Sequence, residues 1–160
     1  RTSGPDPSAK PKITAFLVER EWGVNVGPSE EKMGIRGSAT NTLYFEDVRV
    51  PVENVLGEAG RGFKVAMEIL NNGRLGLAAG CVGGCKSLIE LAVERVSERK
   101  AFGRSIGDFG MIKEKVARMM CETYALESMT YMTTRLLDAK VADYSLESAI
   151  CKVFGSETHW

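Results

Sequence analysis

Between Phe63 and Arg99, apolar residues recur at spacings of three and four. They are Val65, Met67, Ile69, Leu70, Leu77, Cys81, Val82, Cys85, Leu88, Ile89, Ala92, Val93 and Val96. That period aligns them along an α-helix. The run predicts one helix of about ten turns, well beyond ordinary globular length. A second run follows Asp108, the expected N-cap, through Ile112, Val116, Met119, Met120, Tyr124, Met129, Met132 and Leu136 to about Asp138. A third starts near Asp143 or Ser145 and continues past Ile150, Val153 and Phe154 to the end. Long helices with short connectors pack as an antiparallel bundle. No internal repeat or low-complexity tract interrupts the pattern.

The text before Gly57 is different. Lys12–Glu19 is β-rich, Arg20–Gly23 reads as a turn, and Val24–Val26 as a short strand. Asn41–Phe45 alternates polar with apolar, and Val48–Val50 is expected to continue it until Pro51 stops the sheet. Gly27-Pro28 and Gly34–Ser38 punctuate the rest. These segments predict antiparallel strands, part of a sheet completed by residues before Arg1. The fold class expected is α+β. Arg1–Ser8 reads as a loop without targeting character, and both ends resemble cuts inside a larger protein.

Composition narrows function by exclusion. Lys plus Arg number 21 and Asp plus Glu 21, so there is no global field to draw nucleic acid or anionic membrane. Any anion site must be local. No apolar run reaches the ~20 residues that span a bilayer. Cys81, Cys85, Cys121 and Cys151 sit in helix-like text without a C-x-x-C spacing, and the single histidine, His159, is remote. They read as buried free thiols in a reducing compartment, and no metal site is expected.

The local anion site is expected at Arg99-Lys-Ala-Phe-Gly-Arg-Ser-Ile106, between the first two helices. Arg99, Lys100 and Arg104 bring cations, Phe102 a ring of the buried type, and Gly103 a flexible turn. Such a cluster suits a phosphate-bearing cofactor; it also suits the end of an ordinary helix.

Gly73, Gly76, Gly80 and Gly83 form a stripe on the first helix. Each glycine costs a helix interior ~1 kcal/mol relative to alanine, so something must offset several. Tight helix–helix packing would do so, as would a wall beside a long narrow pocket. Arg74 lies within the stripe, with Leu70, Leu77 and Ala78 on its face, and is expected to be buried and paired with carboxylates.

Three stretches, in order, resemble the acyl-CoA dehydrogenase family. Met33-Gly-Ile-Arg-Gly-Ser-Ala-Thr40 with Phe45-Glu-Asp-Val-Arg-Val-Pro51 resembles its middle-domain signature. Asn54-Val-Leu-Gly-Glu-Ala-Gly-Arg-Gly-Phe-Lys-Val-Ala-Met67 resembles the start of its first C-terminal helix, and Glu98–Ile106 its flavin-binding turn. Ile69–Arg74 and Asp108–Gly110 resemble the very-long-chain branch and a close paralogue that serves complex I assembly. Intact Asn72-Gly73 and Phe102-Gly103 lean toward the dehydrogenase. The resemblance implies a division into residues 1–57, the end of an antiparallel β-barrel or sheet middle domain, and 58–160, the first three helices of an antiparallel α-helical bundle.

The implied reaction removes the α-proton and β-hydride of a long-chain acyl-CoA thioester in fatty acid β-oxidation, giving the trans-2-enoyl-CoA. A glutamate takes the proton, FAD the hydride, and electron-transfer flavoprotein the electrons. Such a base needs an apolar pocket to raise its pKa, and the thioester oxygen needs hydrogen-bond donors. Some members carry the base immediately before the arginine matching Arg74; here that residue is Gly73. Most carry it in a loop that would lie beyond Trp160. The resemblance therefore implies no catalytic residue here, and Glu68, Glu90 and Glu147 are not assigned the role.

By the same resemblance, Asn71, Asn72, Gly73 and Arg74 contact substrate, their short side chains leaving room for an acyl chain or pantetheine arm. Arg99, Ala101, Phe102, Phe109 and Gly110 contact FAD of a neighbouring subunit, which implies a homodimer or larger homo-oligomer. Many members carry glutamine where Gly110 stands, so only backbone could serve there. The loop around Lys10 is expected near CoA, and the main flavin-ring strand before Arg1. The expected compartment is the mitochondrion for a eukaryotic source and the cytoplasm for a bacterial one. Two other readings stay open: a complex I assembly scaffold of the same fold, and an acyl-CoA oxidase passing electrons to oxygen.

Overall fold

The computed structural model describes Thr2, Lys10 and residues 12–160. The loop expected at residues 1–8 lies, apart from Thr2, outside the described residues. The chain divides into two compact units, Arg1–Met67 and Glu68–Trp160.

The first unit holds two small antiparallel sheets. Strand β1 (Ala15–Phe16) pairs with β4 (Val55–Leu56), and β2 (Val24–Ser29) with β3 (Asn41–Phe45). Val24 faces Phe45 and Val26 faces Leu43, and the register shifts before Ser29 reaches Asn41. That shift falls at Gly27-Pro28, where proline offers no ladder donor. Arg20–Trp22 forms a single tight turn closed by Gly23 at φ +97°, as its sequence predicts.

Two strand expectations need correction. Val48–Val50 is not a strand: Asp47 takes a positive φ of 50° and turns the chain out of the β3 ladder. The β-rich run 12–19 is paired over Ala15–Phe16, with isolated bridges at Lys12 and Ile13. Among the described residues these strands form no closed barrel.

The switch from strand to helix occurs at Gly57–Gly62. Gly62 donates its N–H to the Ile13 carbonyl at 2.8 Å, and Gly60 donates to the Thr14 hydroxyl at 2.9 Å. A Cβ at Gly62 would press on the Ala15 nitrogen and come within 2.6 Å of the Thr14 carbonyl carbon. Backbone meets backbone there, so only glycine fits.

The second unit is helical. Helix α1 (Gly62–Glu98) begins in the first unit and continues through the second. Strands β5 (Lys100–Ala101) and β6 (Arg104–Ser105) form a minimal hairpin before α2 (Gly110–Asp138) and α3 (Ser145–His159). Asp108 is not the N-cap of α2. It ends a short turn, Ile106–Asp108, and Phe109 occupies the cap without a side-chain bond. Helix α3 starts at Ser145, as expected; Tyr144 is its N-cap without a side-chain bond, and Asp143 just before it accepts the Ser145 N–H at 2.9 Å.

Cys81 and Cys85 of α1 and Leu126 of α2 form the core, with Val82 and Phe154 against it. Full burial of a leucine such as Leu126 stabilises by about 1.5–3 kcal/mol. Gly155 brings α3 into this core: a Cβ there would stand 3.2 Å from Leu126 Cδ1 and 3.5 Å from Ala78 Cα. Lys86 of α1 reaches Glu127 of α2 at 2.5 Å. Cys81, Cys85 and Cys151 are buried free thiols, but Cys121 is exposed, because its position on α2 turns away from the core.

Helix α1 departs from expectation in two respects. Its mean hydropathy of 1.4 over its most apolar window, with its length, meets the requirement for crossing a membrane. Leucine, valine, cysteine and alanine raise that mean, while the interspersed glycines and charged residues break the apolar run. Leu75, Ala78, Cys81 and Cys85 are nonetheless buried within the fold. Among the described residues, nothing stands within 4 Å of where a Cβ would lie at Gly73, Gly76, Gly80 or Gly83. The stripe is thus open here, and close approach occurs instead at Gly84, where a Cβ would strike the His159 ring.

Candidate functional site

The break between α1 and α2 is built by a two-residue turn. Lys100 pairs with Ser105 and Ala101 with Arg104, leaving Phe102 and Gly103 at the tip. Both have positive φ, 54° and 80°. This is the handed turn that matches the twist of a hairpin, and it favours glycine or asparagine. Phe102 therefore holds a conformation costly for a bulky side chain. The tip is fastened below: Ser105 Oγ donates to the Val96 carbonyl at 2.6 Å, and Ile106 N–H donates to the Arg99 carbonyl at 2.8 Å.

Strain at Phe102 places its ring in solvent. It is 95% exposed, which corrects the expectation of a buried ring. Its one aromatic partner is Phe109, edge-on with centroids 6.2 Å apart. Arg104 lies over the other ring, its Cζ 4.1 Å from the Phe109 centroid. Arg99 and Lys100 are exposed, and among the described residues neither side chain has a carboxylate partner. Ala101 is half-buried and Gly110 exposed with nothing near its Cβ position. The structure thus brings Arg99, Ala101, Phe102, Phe109 and Gly110 into one hairpin and helix start. It offers unpaired positive charge beside one exposed ring, Phe102, and one half-buried ring, Phe109, which fits a diphosphate joined to a flat heterocycle.

The second cluster lies on α1 against the start of α3. Arg74 Nη1 donates to Asn71 Oδ1 at 3.0 Å. The Tyr144 hydroxyl donates to Asn72 Oδ1 at 2.6 Å, and Ser148 Oγ donates to the Asn71 carbonyl at 2.7 Å. Arg74 is half-buried rather than buried, and its partner is a carboxamide rather than a carboxylate. No acidic side chain stands one turn away on its face. Leu70 and Leu77, its expected apolar neighbours, are each 48% exposed. Gly73 presents bare backbone between Asn72 and Arg74.

Glu68, Glu90 and Glu147 are all exposed, so none has the apolar enclosure that a carboxylate base requires. Lys10 is exposed, and its neighbours on both sides lie outside the described residues. No group of three or more metal-ligating side chains occurs among the described residues.

Two features escaped sequence reasoning. Tyr144 and Ser148 join the Asn71–Arg74 segment from more than seventy positions away; the only signal was a hydrophilic helix start at Asp143–Ser145. His159, remote in sequence, comes to 3.7 Å from Cys85 Sγ beside a cavity of about 250 Å³ lined by Leu88, Ile89, Met119 and Thr123. Burial pushes the Cys85 thiol upward, a Thr123 hydrogen bond opposes this, and Cys81 adds to the rise. Cys85 is accordingly a packed thiol rather than a nucleophile.

Residues 60–160 match the family described as acyl-CoA dehydrogenase, C-terminal domain. The chain is 53% identical over 154 residues to the mitochondrial very long-chain specific acyl-CoA dehydrogenase of Bos taurus, covering 96% of this chain and 24% of that protein. Its structure is similar to butyryl-CoA dehydrogenase from Megasphaera elsdenii, with TM-score 0.82 and 38% identity over 92% of this chain and 38% of that one. It is similar also to an acyl-CoA dehydrogenase complexed with FAD from Bacillus anthracis, with TM-score 0.82 and 39% identity over 93% of this chain and 29% of that one. The chain therefore spans about a quarter of the bovine relative's length. The matched helices carry both clusters, and on these likenesses the chain belongs to the acyl-CoA dehydrogenase family.

Proposed function

We propose that the protein containing this chain is an FAD-dependent acyl-CoA dehydrogenase of the mitochondrial very-long-chain type. It oxidises long-chain acyl-CoA to the trans-2-enoyl-CoA and passes electrons to electron-transfer flavoprotein. The likeness to the bovine enzyme, at 53% identity across nearly the whole chain, carries this reading. The hairpin at Arg99–Gly110 supports it independently, because its cations and rings suit the adenosine diphosphate end of FAD. In this reading residues 1–57 end a β middle domain whose barrel is completed elsewhere, and residues 58–160 begin the helical bundle.

Each cluster then has a task. Arg99 binds diphosphate through charge-assisted hydrogen bonds, and Phe102 and Phe109 supply an apolar wall. FAD, when bound, supplies the hydride acceptor. Because these residues serve the cofactor of a neighbouring subunit, the protein works as a homodimer or larger assembly. Asn71, Asn72, Gly73 and Arg74 line the path of the acyl-CoA, and the base that takes the α-proton comes from the chain beyond Trp160.

The test uses the full-length protein. It is expected to be yellow, to release FAD on denaturation, and to bleach when long-chain acyl-CoA is added without oxygen. A colourless, FAD-free protein that captures partners would favour the scaffold reading. Reoxidation by oxygen in place of electron-transfer flavoprotein would favour the oxidase reading.

A further inference from the structure

In the Asn71–Arg74 segment, both carboxamide oxygens are engaged by protein donors. Asn71 Oδ1 takes Arg74 Nη1 at 3.0 Å, and Asn72 Oδ1 takes the Tyr144 hydroxyl at 2.6 Å. The second distance lies in the O–H···O range and below the usual N–H···O range of about 2.7–3.2 Å, which identifies the amide atom facing Tyr144 as oxygen. A phenol also donates better than it accepts, because its lone pairs are shared with the ring. Asn72 therefore directs its NH₂ group away from Tyr144. Asn72 is exposed, so that NH₂ group faces solvent and is open to a ligand. The remaining guanidinium hydrogens of Arg74 add further donors. What the segment offers a ligand is N–H only.

Tyr144 is itself held. It precedes α3, whose first amide is capped by Asp143 at 2.9 Å. One turn later Ser148, fully buried, fastens α3 to the Asn71 carbonyl. These bonds leave the phenol little freedom to leave Asn72.

We infer that Tyr144 is a positioning residue that turns the Asn72 carboxamide so that its NH₂ donates to a carbonyl of the acyl-CoA thioester or its pantetheine arm. This rests on the acyl-CoA reading above and deepens it. The matching ligand chemistry is a hydrogen-bond acceptor at the contact, which a thioester or amide C=O supplies.

The experiment compares variants of the full-length, FAD-loaded protein. Tyr144→Phe keeps the ring and removes the donor. Loss of one positioning hydrogen bond predicts a KM for long-chain acyl-CoA raised about three- to tenfold, with kcat changed less than about twofold. The dissociation constant of the enoyl-CoA product, measured by titration calorimetry, rises in parallel, while FAD content and thermal midpoint stay unchanged. Tyr144→Phe combined with Asn72→Ala is no weaker than Asn72→Ala alone, since the phenol acts through the amide. Asn72→Asp, which replaces the donor by oxygen, binds more weakly than Asn72→Ala. An unchanged KM in Tyr144→Phe, a fall in thermal midpoint without a change in KM, or fully additive effects in the double variant would each overturn the inference. If the unmodified protein does not oxidise acyl-CoA, the underlying reading fails and this one with it; an active parent with an indifferent Tyr144→Phe sinks only this one.

Discussion

The guanidinium of Arg104 lies over the face of Phe109, 4.1 Å from the ring centroid, and so ties the outgoing strand of the hairpin to the first residue before α2. An exposed cation–π contact of this kind contributes about 0.5–1 kcal/mol. It engages Arg104 within the fold, whereas Arg99 has no such ring and remains available for an anion.

That division yields the first prediction. Arg99→Ala in the full-length protein is expected to weaken FAD retention about tenfold, the loss of a charge-assisted hydrogen bond, and to lower dimer stability with it. Arg104→Ala should instead loosen the hairpin by less than ~1 kcal/mol. Flavin fluorescence on dilution, with sedimentation on the same samples, separates the two. Unchanged FAD content in Arg99→Ala would return the hairpin to a plain helix end.

At the turn, Phe102→Gly removes a strained φ of 54° and one edge-on aromatic contact. Strain relief of about 1–2 kcal/mol is opposed by the lost ring pair and by the greater freedom of glycine when unfolded, each about 0.5–1 kcal/mol. Net stability is expected to move by less than ~1 kcal/mol while FAD retention falls. Gly103→Ala, at φ 80°, has no such compensation and should destabilise by about 1–2 kcal/mol. Urea denaturation of the FAD-free protein measures both.

Glycines that look alike in sequence should behave differently. At Gly62 an added methyl meets the backbone of Thr14 and Ala15, which cannot rotate away, and Gly62→Ala is expected to cost about 3 kcal/mol. At Gly155 the methyl meets Leu126, itself fully buried, and Gly155→Ala should cost about 1–2 kcal/mol after its gain in helix propensity. Gly76 faces open space in this chain, so Gly76→Ala should stabilise the chain by up to ~1 kcal/mol. Loss of stability at Gly76 would show that the face is covered in solution.

Acid should weaken the start of α3. The Ser145 hydroxyl, and then its amide, hold the Asp143 carboxyl below its ordinary value of 3.8. A depressed folded-state value means that the cap's contribution is present above pH 3.8 and is lost as pH falls through the lower folded value. The protection of the Ser145 amide, measured as its exchange rate relative to the intrinsic rate at each pH, is expected to fall over that window, and Asp143→Asn, which keeps an acceptor without a titrating charge, should abolish the dependence. An unaltered profile in Asp143→Asn would remove Asp143 from the account.

Thiol chemistry offers a further check. Cys121 is exposed, while Cys81, Cys85 and Cys151 are buried, and Cys85 is held protonated by burial. Iodoacetamide at pH 8 should label native protein at Cys121 first, with the other three following only on denaturation. Mass spectrometry of the digested protein reads the order, and early labelling of Cys85 would contradict its packing.

The three helices were legible because their periodicity is local: each apolar position fixes the phase of the next one turn away. The break at Gly57–Gly62 was legible for a related reason, since glycine marks where a side chain cannot fit. Helix starts were less so. Asp108 has the composition of an N-cap, yet the Ser105-anchored turn takes it up, and Phe109 caps α2 instead. Phe102 reads as a core residue by hydrophobicity, but the hairpin's handedness puts it at a tip where no core exists.

The order of residues by itself determined the three long helices, the glycine-coded junction and the break between the first two helices at Arg99–Ile106, because each depends on neighbours within a turn or two. Tertiary structure alone decided that Asn72 meets Tyr144 and that His159 settles on Gly84 beside Cys85. Both join positions more than seventy residues apart, where only the crossing of α3 over α1 sets the distance.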